Sequence, residues 1–199
     1  SVFQQFVGIN VIFYYSSALW QSVGFTEADA LTQTVITSVT NIAVTIVAIA
    51  LIDKIGRRRL LLIGSFGMSL SLGALAFLFA TARVVEGADG ELEPVLEGGA
   101  GVAALIAANL FVVFFGATWG PAVWVLLGEM FNNVIRGTAL GLAAAAQWLA
   151  NFAISTTFPA MADVGLGFAY GFYTTCAVLS LLFVWKLVPE TKGKELEEM

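Results

Sequence analysis

The chain has 199 residues, of which 59% are hydrophobic and only 12% charged, with a net charge of −5; typical soluble domains carry about 25% charged residues. That leaves too little polar surface for a water-soluble globule, and the acidic balance argues against nucleic acid as a partner. There is no histidine, which excludes Ser–His dyads and histidine metal sites, and the single Cys176 has no mate for an intrachain disulfide; no cofactor or metal is expected.

Charge placement defines the elements. Residues 1–26, 30–52, 60–82, 98–128, 137–162 and 164–185 contain no Asp, Glu, Lys or Arg. Each run exceeds the roughly 20 residues a helix needs to cross the hydrocarbon core. No run alternates as barrel strands do, and lipid accepts only helices or closed barrels. Six transmembrane helices are predicted, filling residues 1–187, with a polar tail at 188–199.

Span one, near 1–22, carries QQFVGINVIFYY at residues 4–15. At about 100° per residue, Asn10, Tyr14 and Ser17 share one face, and Gln4, Gly8 and Tyr15 another. A straight helix cannot aim Gln4, Gln5 and Asn10 at one small ligand; a helix loosened at Gly8 could. Span two, near 30–53, places Thr37, Asn41 and Thr45 on one stripe. Span three, near 60–82, follows the basic connector DKIGRRR, and a Gly-rich acidic loop fills about 83–99. Span four, near 101–127, has Gly116, Gly120 and Pro121, with Trp119 and Trp124. Span five, near 138–160, carries Gln147, Trp148 and Asn151; span six lies near 166–187. Spans one and four open two inverted triplets, and Gly- or Pro-interrupted helices at matching places point to a transporter binding site.

Lys54, Arg57, Arg58, Arg59, Arg136, Lys186, Lys192 and Lys194 fall on one side of an even-numbered bundle, and Arg83 on the other. Basic residues mark the cytoplasmic side, so both termini are expected there. Glu27, Asp29, Glu86, Asp89, Glu91, Glu93, Glu97 and Asp163 then face out.

The polar residues inside the spans are uncharged amides, which offer donors and acceptors alike. Asn, Gln and Thr also join membrane helices, at about 0.6 kcal/mol per bond. For any one residue both readings stand; the set together points to a shared polar cavity. The charged motifs DKIGRRR, EMFNNVIRG and PETKG read equally as switchable salt bridges or as positive-inside anchors.

Five stretches in order, QQFVGINVIFYYS, DKIGRRRLLLIG, WGPAVWVLLGEMFNNVIRG, AQWLANF and VPETKG, resemble the sugar porter family of the major facilitator superfamily. The chain is similar to the carboxy-terminal six helices of that twelve-helix fold, as found in bacterial xylose–proton symporters and animal glucose facilitators. The resemblance implies monosaccharide transport by alternating access, with an amino-terminal half outside this chain and a proton as a candidate co-substrate. It implies sugar contacts from Gln4, Gln5, Asn10, Asn41, Trp124, Gln147 and Trp148, and an outer gate at Tyr14 and Tyr15. It implies a cytoplasmic charge network of Asp53, Arg57, Arg58, Glu129, Arg136 and Glu190, in a protein of the plasma membrane. A membrane-embedded enzyme would need a chemical centre, and no carboxylate pair sits in mid-span. The remaining alternative is a scaffold bundle that carries no substrate.

Overall fold

The computed structural model describes all residues except 17–19, 22–24, 87–91, 97–98 and 193–199. Ser17, Asp89, Glu91, Glu97, Lys194 and the end of the tail therefore lie outside the described residues.

Two short helices come first, α1 (Val2–Phe6) and α2 (Ile9–Tyr14). Then follow α3 (Glu27–Ile55), α4 (Arg57–Ala80), the strands β1 (Arg83–Glu86) and β2 (Leu92–Val95), and α5 (Gly99–Phe114). A π-helical turn at Phe115–Trp119 joins α5 to α6 (Gly120–Met130), and α7 (Arg136–Val164) and α8 (Leu166–Leu187) complete the bundle.

Among the described residues, five helices are long and apolar enough to cross a membrane: α3, α4, the joined α5–α6 stretch, α7 and α8. The shortest has 22 residues, which at about 1.5 Å per residue matches the hydrocarbon thickness. The first predicted span departs from the expected single helix. Gly8 adopts φ 82°, ψ 21°, a left-handed conformation that costs other L-residues roughly 1–2 kcal/mol. It ends one helix and starts the next. A Cβ there would also lie 2.9 Å from the ring of Tyr173.

Local signals explain the other boundaries. Thr26 caps α3, its hydroxyl oxygen accepting from the Asp29 amide at 3.2 Å, and Glu27 and Asp29 suit the positive end of the helix. Pro121 supplies no N–H to the turn before it, and there the α-helix gives way to the π turn. The predicted acidic loop is instead closed by an antiparallel pair, with Arg83 opposite Val95 and Glu86 opposite Leu92. Its Gly, Pro and Glu content conceals the strands.

The core lies between α4 and α8, the most extensively packed pair, with α5 against the other flank of α4. Leu61, Met68, Leu72 and Leu75 meet Tyr170, Tyr173, Ala177 and Val184, all fully buried. Ser65 and Ser180 join these helices through hydroxyls 3.0 Å apart. In contrast, only 17% of the spanning stretch of α3 and 11% of that of α7 is buried. Their outer faces present Val39, Ile46, Leu142, Leu149 and Phe152, all exposed.

Candidate functional site

The break at Gly8 turns α1 and α2 so that their amides converge. Gln4 and Gln5 are buried, at 3% and 6% exposure. The Gln4 Nε2 donates to Trp119 O at 3.0 Å and to Gly120 O at 3.2 Å, so the broken first helix meets the interrupted α5–α6 helix. Asn10 Nδ2 donates to Gln5 Oε1 at 2.5 Å and to Asn151 Oδ1 at 2.7 Å. Ser155 Oγ adds a donation to Asn151 Oδ1 at 3.3 Å. An amide chain thus runs from α1 through α2 to α7.

Two hollows flank this chain. One, of about 170 Å³, is lined by Gln5, Asn10, Tyr14, Gln147, Trp148 and Asn151. The other, of about 420 Å³, shares Gln5, Asn10 and Gln147 with it and adds Gln4, Ser38 and Asn41, with Phe13 and Phe115 as apolar lining. The larger hollow falls within the roughly 300–1,000 Å³ of small-molecule sites. The lining offers donors and acceptors without a charge, beside aromatic faces.

Of the sugar-contact residues expected from sequence, Gln4, Gln5, Asn10, Asn41, Gln147 and Trp148 line one or both hollows. Trp124 lines neither and is 39% exposed. The stripe on α3 divides. Thr37 Oγ1 donates to Asn109 Oδ1 at 3.4 Å and Thr45 Oγ1 reaches Gly116 O at 3.5 Å, both tying α3 to the fourth span, while Asn41 borders the hollow. Tyr14 stands exposed at the rim. Tyr15 instead donates its hydroxyl to Ser155 O at 3.0 Å and packs against Phe158. Asn151 and Ser38 were not among the expected contacts. Asn151 stood in the polar set that spacing picked out, one helical turn beyond Gln147, but not among the sugar contacts the resemblance implied; Ser38 had no such signal.

The charged residues gather at the opposite helix ends. Arg57 is the hub, its Nη2 lying 2.8 Å from Asp53 Oδ1 and 2.5 Å from Glu129 Oε1. Glu129 Oε2 also accepts from Thr191 Oγ1 at 2.6 Å. The other three expected members depart from a salt-bridge network. Arg58 Nη2 donates to Trp185 O at 2.6 Å. Arg136 Nε donates to Phe131 O at 3.2 Å, and its buried Nη2 has no partner among the described residues. The Glu190 Oε1 accepts from the Arg57 backbone amide at 3.0 Å, so it caps α4 rather than pairing with a guanidinium. Burial alone would raise the Glu190 carboxyl, but the amides of Lys192, Arg57, Arg58 and Arg59 hold it below its ordinary range.

This arrangement, apolar helices crossing around an uncharged polar hollow with two interrupted helices meeting at it, defines a polytopic membrane protein of solute-carrier architecture. The sequence model of the "Sugar (and other) transporter" family matches residues 1–199, and the chain belongs to that family. It is 60% identical over 200 residues to a glucose transport protein of Synechocystis, covering 100% of this chain and 42% of that protein. It is 43% identical over 206 residues to the D-xylose-proton symporter of Escherichia coli K12, covering 100% of this chain and 39% of that one. Among solved structures, a double-tryptophan mutant of the E. coli transporter XylE superposes with a TM-score of 0.85 at 42% identity, over 100% of this chain and 40% of that chain. XylE bound to 6-bromo-6-deoxy-D-glucose gives 0.82 at 42% identity, over 99% and 40%. The chain therefore has the major facilitator fold over its length and spans about two fifths of the relatives it matches.

Proposed function

We propose that this chain is the carboxy-terminal six-span half of a twelve-span monosaccharide transporter that works by alternating access. The observation that carries the reading is the amide chain Gln5–Asn10–Asn151, set between two hollows with no charged side chain in their lining. Neutral amides replace the hydrogen bonds that water makes to hydroxyls, and they do so without the selectivity for ions that a carboxylate or guanidinium would impose. Two relatives are named as carriers of glucose and of xylose with a proton, which supports a hexose or pentose as cargo.

In this reading Gln4, Gln5, Asn10, Asn41, Gln147, Trp148 and Asn151 contact the sugar, and Trp124 approaches it from the side of the absent half. Tyr14 closes the outer mouth, while Tyr15 anchors the gate to α7. The exposed apolar faces of α3 and α7 meet lipid and the amino-terminal half. Arg57, Asp53, Glu129 and Glu190 lock the cytoplasmic ends in one conformation. The protein resides in the plasma membrane with both termini cytoplasmic. The spans of this chain carry no carboxylate away from their ends, so a co-transported proton would use a group in the other half.

The test is uptake of labelled D-glucose and D-xylose by the full-length protein in proteoliposomes. The wild type accumulates or equilibrates at least one of them, and Gln5→Ala loses at least tenfold in uptake at an unchanged amount of inserted protein. Equal uptake by Gln5→Ala would refute the site.

A further inference from the structure

Trp119 is 3% exposed, although membrane tryptophans ordinarily sit in interfacial belts. It lines neither hollow, and its use is different. Its Nε1 donates to Leu61 O and to Ser65 Oγ, each at 3.0 Å. Ser180 donates its own hydrogen to Ala177 O at 2.7 Å. The hydrogen between Ser65 and Ser180 must therefore come from Ser65. The donations run one way, from Trp119 to Ser65 to Ser180 to a backbone carbonyl, through three packed spans. Every polar atom of this buried relay is satisfied, which is the condition for such a network to rigidify its surroundings.

What it holds is the π turn that ends at Trp119. The Trp119 carbonyl and that of Gly120 just after it both accept from the Gln4 Nε2. The reverse orientation of that amide would set its oxygen against two carbonyl oxygens, so the polarity of Gln4 is fixed by the backbone. Its Oε1 is left shielded from water and without a partner among the described residues, in a residue that borders the larger hollow.

We propose that Trp119 is a positioning residue: by pinning the π turn it fixes the Gln4 amide with its nitrogen on the backbone and its oxygen unpartnered, so that this side of the hollow selects a ligand group that donates a hydrogen. The assignment rests on the sugar-binding reading above. A hydroxyl meets the requirement; a fluorine of similar size, which has no hydrogen to give, does not.

The experiment is a calorimetric titration of the full-length protein with D-glucose and with its monodeoxyfluoro analogues, for wild type, Trp119→Phe, Ser65→Ala, Gln4→Ala and the double variant Gln4→Ala/Trp119→Phe. Trp119→Phe keeps an aromatic ring and removes the donor. It weakens glucose binding on the order of tenfold, the scale of one uncharged hydrogen bond, and adds no further loss in the Gln4→Ala background. Wild type rejects one fluoro analogue more strongly than the others, and Trp119→Phe flattens that preference. Ser65→Ala shows the same pattern at smaller amplitude and serves if Trp119→Phe does not fold. Additive losses in the double variant, or an unchanged fluoro profile, would overturn the assignment and leave Trp119 a packing residue. Wild-type protein that binds no monosaccharide overturns the sugar reading and this assignment together; wild-type binding that neither Trp119→Phe nor Ser65→Ala alters overturns this assignment alone.

Discussion

Glu190 places its carboxylate on the backbone amide of Arg57, 133 positions earlier, at 3.0 Å. The start of the tail thereby becomes the N-terminal cap of α4, whose own sequence RRRL supplies no capping side chain. A carboxylate at this end satisfies amides the helix cannot use and faces the positive end of its dipole. Removing it by Glu190→Ala lowers stability by about 1 kcal/mol. The effect has a defined pH window. The folded carboxyl sits below its ordinary value because of the amides of Lys192, Arg57, Arg58 and Arg59, against the opposing push of burial. Its contribution is complete above the unfolded value of about 4.3 and disappears as pH falls through the lower folded value. Melting curves of wild type and Glu190→Ala should stay separated from pH 8 to 5 and converge at more acid pH.

The same contact dictates the residue before α4. Gly56 has φ 97°, and a Cβ there would lie 2.6 Å from Glu190 Oε2. Gly56→Ala therefore adds backbone strain and displaces the cap, a loss of more than about 1 kcal/mol. In Gly56→Ala/Glu190→Ala the losses are less than additive, because the cap is already gone. Thermal denaturation of the two single variants and the double variant measures this coupling.

The two carboxylates on Arg57 are unequal. The Asp53 side chain is 78% exposed and that of Glu129 28%. An exposed pair is worth about 0–1 kcal/mol, so Asp53→Asn should hardly move the melting temperature. Glu129→Gln weakens both the Arg57 pair and the charged acceptor that Thr191 uses, and its destabilisation should be clearly the larger. Arg57 uses both arms of its fork, Nη2 on the two carboxylates and Nη1 on Ile52 O at 3.4 Å; a single ammonium cannot reproduce that geometry, and Arg57→Lys should fall nearer to Arg57→Ala than to wild type.

Asn10 tests the amide chain by its polarity. Its Nδ2 donates to two oxygens, Gln5 Oε1 and Asn151 Oδ1. Asn10→Asp is nearly isosteric but sets an ionised oxygen against two acceptors. It should cost more stability and more sugar affinity than the smaller Asn10→Ala, reversing the order expected from size. Melting curves with and without sugar check both.

Much of the architecture was legible because charge is costly inside a bilayer. Long runs free of Asp, Glu, Lys and Arg locate α3, α4, the α5–α6 stretch, α7 and α8. The break in the first span was legible at Gly8, the one residue there free to take positive φ. Periodicity placed Thr37, Asn41 and Thr45 on one stripe but could not say which would face a neighbouring helix. Only packing separates Thr37, bonded to Asn109, from Asn41 at the hollow. Asn151 announced itself by its spacing from Gln147, yet its bond to Asn10 spans 141 positions and required the tertiary fold. The charged motifs left ion pairs and positive-inside anchoring equally open for Arg58 and Arg136, and the resemblance placed Glu190 in the same network. Backbone carbonyls and amides compete for the same groups, and composition does not reveal them.

The most direct measurement is equilibrium titration of the full-length protein with D-glucose and D-xylose, for wild type beside the apolar double variant Gln5→Leu/Asn151→Leu. Saturable binding of at least one sugar is expected for the wild type and its loss in the variant, with the variant still folded and inserted. Equal binding by the two proteins would contradict that expectation.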